Sequence, residues 1–225
     1  KQYFQQPNQI MVTRHRRNFD QDHEGTDITF GTLTGYPCCF SNMHQGWPKF
    51  TQHLWYATPD NGIAAFTYSP SEVTAKVGNN VSVVISEDTY YPMDNRISFT
   101  IKEVKNKTKQ VEFPLHLRIP KWCKRAEIIV NGKAEQYIEG GRIAVINRIW
   151  KRNDNVELHL PMEVSTSTWY ENAVTIERGP LVYALKIKEN WKKENLNNSW
   201  YGPHYYQVTS SEPWNYGLVD FDRSQ

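Results

Sequence analysis

The sequence has little cysteine, no long hydrophobic run and no excess of either charge. Three cysteines, Cys38, Cys39 and Cys123, are too few for a disulfide framework, and two adjacent cysteines are poorly placed to pair with each other. No apolar run approaches the roughly 20 residues of a transmembrane helix. The formal net charge is +2, without the basic footprint of a nucleic-acid-binding protein. We therefore expect no membrane span and no nucleic-acid partner.

The start of the sequence also lacks two familiar features. Residue 1 is Lys1 rather than methionine, and no basic segment followed by an apolar one marks a signal peptide. We therefore expect the chain to be a piece of a longer polypeptide, whose missing part would carry targeting information and part of any active site.

Aromatic residues, in contrast, are plentiful. The chain contains 8 Trp, 13 Tyr and 9 Phe, which excludes a disordered protein because disordered chains are poor in aromatic residues. Such rings stack on sugars, but they also fill β-sandwich cores and interfaces. The composition favours the core role and leaves sugar binding as the alternative.

One segment has helical periodicity. Between residues 39 and 57, apolar residues recur at steps of three and four, which places them on one face of a helix: these are Met43, Trp47, Phe50, Leu54 and Ala57. Pro48 can begin a second helix or kink a continuous one. The pattern predicts one helix or two short ones.

From residue 63 onward the sequence is typical of β-structure. Runs of alternating or β-branched residues recur about every ten residues: 63–68, 73–77, 81–86, 96–104, 111–119, 126–130, 142–146, 156–160, 173–177 and 181–187. Asn131 and Gly132 are a strong hairpin signal. This pattern predicts a mainly β protein with an antiparallel β-sandwich. Pro161 marks a boundary, and beyond Lys188 we expect a long decorated loop or part of a further domain.

The adjacent cysteines are the main candidates for chemistry. A thiol just before a predicted helix meets the positive end of the helix dipole, which favours the thiolate, a nucleophile and a zinc ligand. Spacing alone nevertheless favours the reading of Cys38 and Cys39 as small buried residues. Four histidines could complete a metal site, although none has a typical ligand spacing to the pair: His15, His23, His44 and His53. Cys123 is expected in a strand or turn of the sandwich.

Several motifs closely resemble glycoside hydrolase family 127, which contains β-L-arabinofuranosidases. They are GTD at 25–27, FG at 30–31, LTGYPCC at 33–39, NMHQGWPKF at 42–50, ERGPLVY at 177–183 and PWNYGL at 213–218. The resemblance implies the end of an (α/α)6 barrel at residues 1–58, a β-sandwich at 59–160, and a second β-rich domain or extension at 161–225.

The same resemblance implies a mechanism. At the matching positions Cys38 would be the nucleophile of a retaining glycosidase, and Cys38 and Cys39 would bind zinc. The remaining zinc ligands, a Glu and a Cys, and the acid/base Glu would lie in the missing barrel, so the isolated chain should be inactive. Glu24 and Asp27 are read as loop charges rather than catalytic groups.

Partners and localisation follow from the resemblance as well. The expected partners are arabinose-containing glycans and the N-terminal barrel of the same polypeptide, and a bacterial cell envelope or cytoplasm is the expected compartment. The alternative function is a non-catalytic sandwich that binds carbohydrate or supports the barrel.

Overall fold

The computed structural model describes residues 11–14, 29–31, 42–198 and 202–219, of which 196–198 and 202 are described by their backbone alone. The chain divides into two compact units, one formed by Trp47–Ala184 and the other by Lys1–Gly46 together with Leu185–Gln225.

The larger unit begins within the helix α1 (Gly46–Gln52) and continues almost entirely as β-strands. Its strands are β2 (Trp55–Ala57), β3 (Ile63–Ala65), β4 (Ser71–Val77), β5 (Val81–Thr89), β6 (Arg96–Lys105), β7 (Gln110–Arg118), β8 (Arg125–Val130), β9 (Lys133–Glu139), β10 (Ile143–Lys151), β11 (Asn155–His159), β12 (Val164–Thr168), β13 (Val174–Arg178) and β14 (Leu181–Val182). A single turn of 3-10 helix, Tyr170–Asn172, precedes β13.

Three sheets organise these strands. A six-stranded sheet has the order β4-β5-β6-β11-β8-β9, a four-stranded sheet has the order β10-β7-β3-β2, and β12-β13-β14 form a small third sheet. Pairing is antiparallel except between β3 and β7, which run parallel with Ile63 opposite Leu115. The predicted mainly β fold, built largely from antiparallel sheets, is therefore confirmed.

The core of the larger unit lies between the six-stranded and four-stranded sheets. Alternate residues point inward, as in β5, where Val83 and Ile85 are fully buried, and in β8, where Ala126 and Ile128 are. The four-stranded sheet contributes Phe113, Leu115 and Trp150. Burial of one face of each strand is what period-two alternation predicts.

The predicted hairpin at Asn131 and Gly132 is confirmed. Both residues have positive φ, 50° and 77°, as a type I′ turn requires, and Val130 pairs with Lys133 across the turn. Asn131 also accepts the Asn155 backbone N–H at 2.8 Å on its side-chain oxygen. The turn is thus set by local sequence and tied to the neighbouring strand.

The helix prediction was wrong at its C-terminal end. Residues 55–57 form β2, because Trp55 pairs with Ala65, stacks edge-on against Phe99 at 5.8 Å and donates its indole N–H to Ser71 at 3.0 Å. Of the predicted helical face, Leu54 alone is buried, while Trp47 is 75% exposed. Strand pairing outweighs the helical periodicity at 55–57.

The smaller unit contains β1 (Phe30–Gly31), a 3-10 turn (Met43–Gln45), β15 (Asn190–Asn198) and β16 (Gly202–Thr209). Its sheet has the order β1-β16-β15, and Val12 forms an isolated bridge with Val208. Part of the segment beyond Lys188, predicted as a decorated loop or part of a further domain, is therefore a hairpin. The sequence did not predict this hairpin, because β15 is rich in Asn and Lys and lacks an alternating apolar pattern.

Candidate functional site

The predicted catalytic and zinc-binding residues, Cys38 and Cys39, lie outside the described residues. The same holds for Glu24, Asp27 and the histidines His15 and His23. Their roles stay predictions.

The other two candidate histidines lie in described positions. His44 sits in the exposed 3-10 turn before α1. The Nδ1 atom of His53 is 2.5 Å from the Lys49 carbonyl oxygen in an exposed contact at the end of α1. The imidazole ring therefore hydrogen-bonds a carbonyl group in the last turn of the helix. Across the described ranges, no group of three His, Cys, Asp or Glu side chains is arranged to hold a metal ion.

Cys123 is a core residue rather than a reactive one. It is fully buried, and its backbone N–H donates to the Pro120 carbonyl at 3.1 Å in the turn before β8. Burial raises the pKa of its thiol, which disfavours the nucleophilic thiolate. The prediction that Cys123 lies in a strand or turn of the sandwich is confirmed.

The aromatic residues divide between two roles. Phe99, Phe113 and Trp150 are buried in the sandwich core, as composition favoured. Others are more than half exposed and free to meet a ligand or another protein surface: Trp47, Trp169, Tyr170, Trp191 and Tyr216. Core packing therefore explains only part of the aromatic content.

A buried carboxyl group lies near the end of β5. Glu87 is 3% exposed; its Oε1 accepts the Ser69 backbone N–H at 2.9 Å, and its Oε2 lies 3.5 Å from the Ser71 hydroxyl. Desolvation raises its pKa to about 8, outweighing these hydrogen bonds, which lower it. At neutral pH the buried carboxyl is mainly neutral, so it does not add a negative charge to the core.

A polar cluster at one end of the sandwich joins the β2–β3 turn to β7. The Asp60 carboxylate accepts a hydrogen bond from the Thr58 hydroxyl and contacts His116 Nε2 at 2.9 Å. The Thr58 hydroxyl oxygen in turn accepts the Gly62 N–H at 3.1 Å. The Thr58 hydrogen bond, followed by His116, lowers the pKa of Asp60. This carboxylate is thus ionised at neutral pH and held in a defined position.

Asp60 also lines a polar cleft of about 470 Å³ between three turns of the larger unit. The cleft is bounded by the β2–β3, β4–β5 and β6–β7 turns and by the start of β7. Sequence analysis missed it, because its residues are far apart in the chain and belong to no motif.

A comparison with known protein families matches part of the chain. Residues 62–162, which run from the start of β3 to just beyond β11, match the family described as "Beta-L-arabinofuranosidase, GH127 middle domain". Over these residues the chain is similar to glycoside hydrolase family 127. The predicted family resemblance is confirmed, and the matched part is the sandwich that holds Glu87 and most of the residues that line the polar cleft.

Solved structures agree with this fold. A GH127 β-L-arabinofuranosidase from Geobacillus stearothermophilus T6 is 22% identical with a TM-score of 0.58, over 77% of this chain and 34% of that one. A glycoside hydrolase is 26% identical with a TM-score of 0.59, over 81% and 34%. A GH127 β-arabinofuranosidase is 20% identical with a TM-score of 0.57, over 78% and 32%.

The chain therefore spans about a third of the length of the solved structures that it resembles. The comparison with curated proteins gave no match. Within the described residues, no helix is both long and apolar enough to cross a membrane.

Proposed function

We propose that this chain is the C-terminal portion of a retaining β-L-arabinofuranosidase and that it is inactive by itself. The observation that carries the proposal is the combination of the family match over residues 62–162 with the Cys38-Cys39 pair upstream of that region. In this proposal, residues 1–58 complete an (α/α)6 barrel, and the arabinose-containing glycan binds in that barrel.

The Cys38 thiolate attacks the anomeric carbon, forming a carbon–sulfur bond as the glycosidic carbon–oxygen bond breaks. A carboxylic acid from outside this chain gives its proton to the departing oxygen. The resulting carboxylate then takes a proton from water, whose oxygen displaces the sulfur and restores the thiolate. Two inversions at one carbon give net retention, as in the usual two-step scheme with a carboxylate nucleophile.

Cys38 and Cys39 are chemically suited to hold zinc, because thiolates are among its preferred protein ligands. Two thiols are fewer than the three or four protein ligands of known zinc sites, and the described residues add no metal-binding cluster. Ligands from the missing barrel would therefore complete the site. Zinc, when bound, keeps a coordinating thiol deprotonated. Cys38 and Cys39 would hold the metal, which would keep the Cys38 sulfur in position.

Metal content and turnover test this proposal together. Elemental analysis should find about one zinc per full-length parent chain and none in the isolated 225-residue chain. In the parent, Cys38→Ala should abolish hydrolysis of an aryl β-L-arabinofuranoside, whereas Cys123→Ala should leave it largely unchanged because Cys123 is buried in the sandwich. Normal turnover by the Cys38→Ala parent would remove the nucleophile assignment.

The exposed face of α1 favours an additional supporting role. Trp47 is 75% exposed and Phe50 is 37% exposed, and the two rings meet edge-on at 6.0 Å. We propose that these rings pack against the part of the barrel that lies outside this chain. In the isolated chain they should cause self-association, detectable by light scattering and reduced in Trp47→Ser; a monomeric isolated chain would contradict this role.

A further inference from the structure

The polar cleft beside Asp60 is built from residues that approach one another closely. Gly78, in the β4–β5 turn, donates its N–H to the Asn61 carbonyl at 2.7 Å. A Cβ atom at Gly78 would lie 2.5 Å from the Glu112 carbonyl oxygen, and its φ is +54°. Only glycine fits this close approach without strain, so the β2–β3 turn, the β4–β5 turn and β7 are held together around the cleft.

The β6–β7 turn forms another wall, and its shape is also fixed. The carbonyl oxygen of Gln110 accepts hydrogen bonds from the Asn106 amide at 2.8 Å and from the Thr108 hydroxyl at 3.1 Å. The orientation of the Asn106 amide follows from this contact, since the opposite orientation would place two acceptor oxygens together. The side-chain groups of this wall are thus set in place without a ligand.

One acceptor in this wall has no partner. Asn106 lines the cleft, and its Oδ1 is buried without a hydrogen bond among the described residues. A buried acceptor is normally paired, and each exception in a folded protein calls for an explanation. Because this oxygen is enclosed, a ligand hydroxyl in the cleft would supply the missing donor only with a small outward shift of the β6–β7 turn.

The remaining lining indicates the chemical class of the ligand. Five lining residues have side chains that can form hydrogen bonds with hydroxyl groups: Asp60, Asn79, Thr108, Glu112 and Asn147. No Lys or Arg is found among the described residues that line the cleft, which disfavours phosphate and other anions. A volume of about 470 Å³ falls within the roughly 300–1,000 Å³ of ligand pockets.

We propose that this cleft is a non-catalytic binding site for a sugar unit of a glycan. Asp60, oriented by Thr58 and His116, accepts hydrogen bonds from two neighbouring hydroxyls, while the amides of Asn106 and Asn147 bind further hydroxyls at the opposite walls. This site is separate from the Cys38-Cys39 pair and requires neither zinc nor turnover, so it does not rest on the proposed function.

The test is a titration of the isotope-labelled 225-residue chain, followed by NMR. The probes are methyl β-L-arabinofuranoside and L-arabinose, with glycerol as the small polyol control and CaCl₂ as the cation control. The sugars should give saturable shifts of the Asn79, Asn106 and Asn147 side-chain amides at millimolar concentrations, and glycerol at matched concentration should not.

Variants assign the binding to the cleft. Asp60→Asn should weaken binding about 10-fold or more and Asn147→Ala about 3- to 10-fold, as expected for loss of a charged and a neutral hydrogen bond. Glu135→Gln and Gln136→Ala, on the exposed strand β9, should leave binding unchanged. Unchanged thermal unfolding would show that each variant folds.

Three results would overturn the proposal. These are the absence of saturable sugar shifts, equal shifts with glycerol, and saturable shifts with calcium alone, which would make the cleft a cation site. None of these results affects the proposed cysteine chemistry. Zinc content and aryl glycoside turnover depend on Cys38 and Cys39, which do not line the cleft.

Discussion

Glu87 Oε1, near the end of β5, accepts the backbone N–H of Ser69, just before the start of β4, at 2.9 Å. The contact pairs one carboxyl oxygen but does not compensate for desolvation, so the pKa of Glu87 rises from 4.5 to about 8. A side chain that becomes charged only above neutral pH makes the stability of this unit depend on pH.

The first prediction concerns that dependence. Because the pKa of Glu87 is higher in the folded chain than in the unfolded one, its contribution to stability is fully present below pH 4.5 and is lost as the pH rises towards 8. Glu87→Gln removes the titrating group while keeping an acceptor for Ser69. The variant should therefore be more stable than the native chain at pH 9, with the difference closing towards pH 5.

Urea unfolding at several pH values measures this effect. Glu72→Gln is the matched control, because Glu72 lies on the adjacent strand with its side chain exposed. A Glu87→Gln chain that loses stability between pH 5 and 8 as steeply as the native chain would refute the prediction.

The second prediction concerns Trp150, which is fully buried. Its indole N–H donates to the Phe113 carbonyl at 2.9 Å, and its ring lies 5.8 Å from that of Phe113. Trp150→Phe removes the hydrogen bond and leaves a cavity, which should lower the free energy of unfolding by about 2 kcal/mol. Ile149→Ala, at an exposed neighbour, should change the free energy of unfolding by less than about 0.5 kcal/mol. Equal changes for the two variants would contradict the assignment of Trp150 to the core.

The third prediction compares two glycines. Neither Gly132 nor Gly46 has an atom within 4 Å of where a Cβ would lie, but Gly132 has a φ of +77° whereas Gly46 has a φ of −60°. Gly132→Ala should therefore destabilise the chain by about 1 kcal/mol through backbone strain alone. Gly46→Ala should leave stability equal or slightly higher, since alanine favours the helix. Thermal unfolding that ranked the two variants in the reverse order would count against the hairpin geometry.

The fourth prediction concerns thiol reactivity. With Cys38 and Cys39 both replaced by serine, the remaining thiol of Cys123 is fully buried and its pKa is raised by burial. The folded double variant should react slowly with a disulfide reagent, and denaturation should release one fast-reacting thiol per chain. Fast reaction of the folded double variant would show that Cys123 is accessible.

Local pattern predicted much of the sandwich. Alternating residues in β5 and β8 marked strands whose inner faces are buried, and Asn131-Gly132 marked the turn that joins β8 to β9, because these signals depend on neighbours in the chain. The family motifs were also local, and the family match over residues 62–162 confirms the resemblance.

Other elements could not be predicted in this way. Residues 55–57 match a helical period but form a strand beside β3, and β9 and β15 carry too few apolar residues to give a strand pattern. Their β-structure depends on the partner strand that supplies the hydrogen bonds, and that partner is not encoded in the segment itself.

The sequence by itself determined the alternating strands, the β8–β9 turn, the adjacent cysteines and the family resemblance. Only the tertiary structure decided the parallel pairing of β3 with β7, the burial of Glu87 and the meeting of Asp60 with His116, 56 positions away. The physical reason is that alternation and turn conformation arise between neighbours in the chain. Strand partners, desolvation and a cleft made from separate turns arise when distant segments pack together.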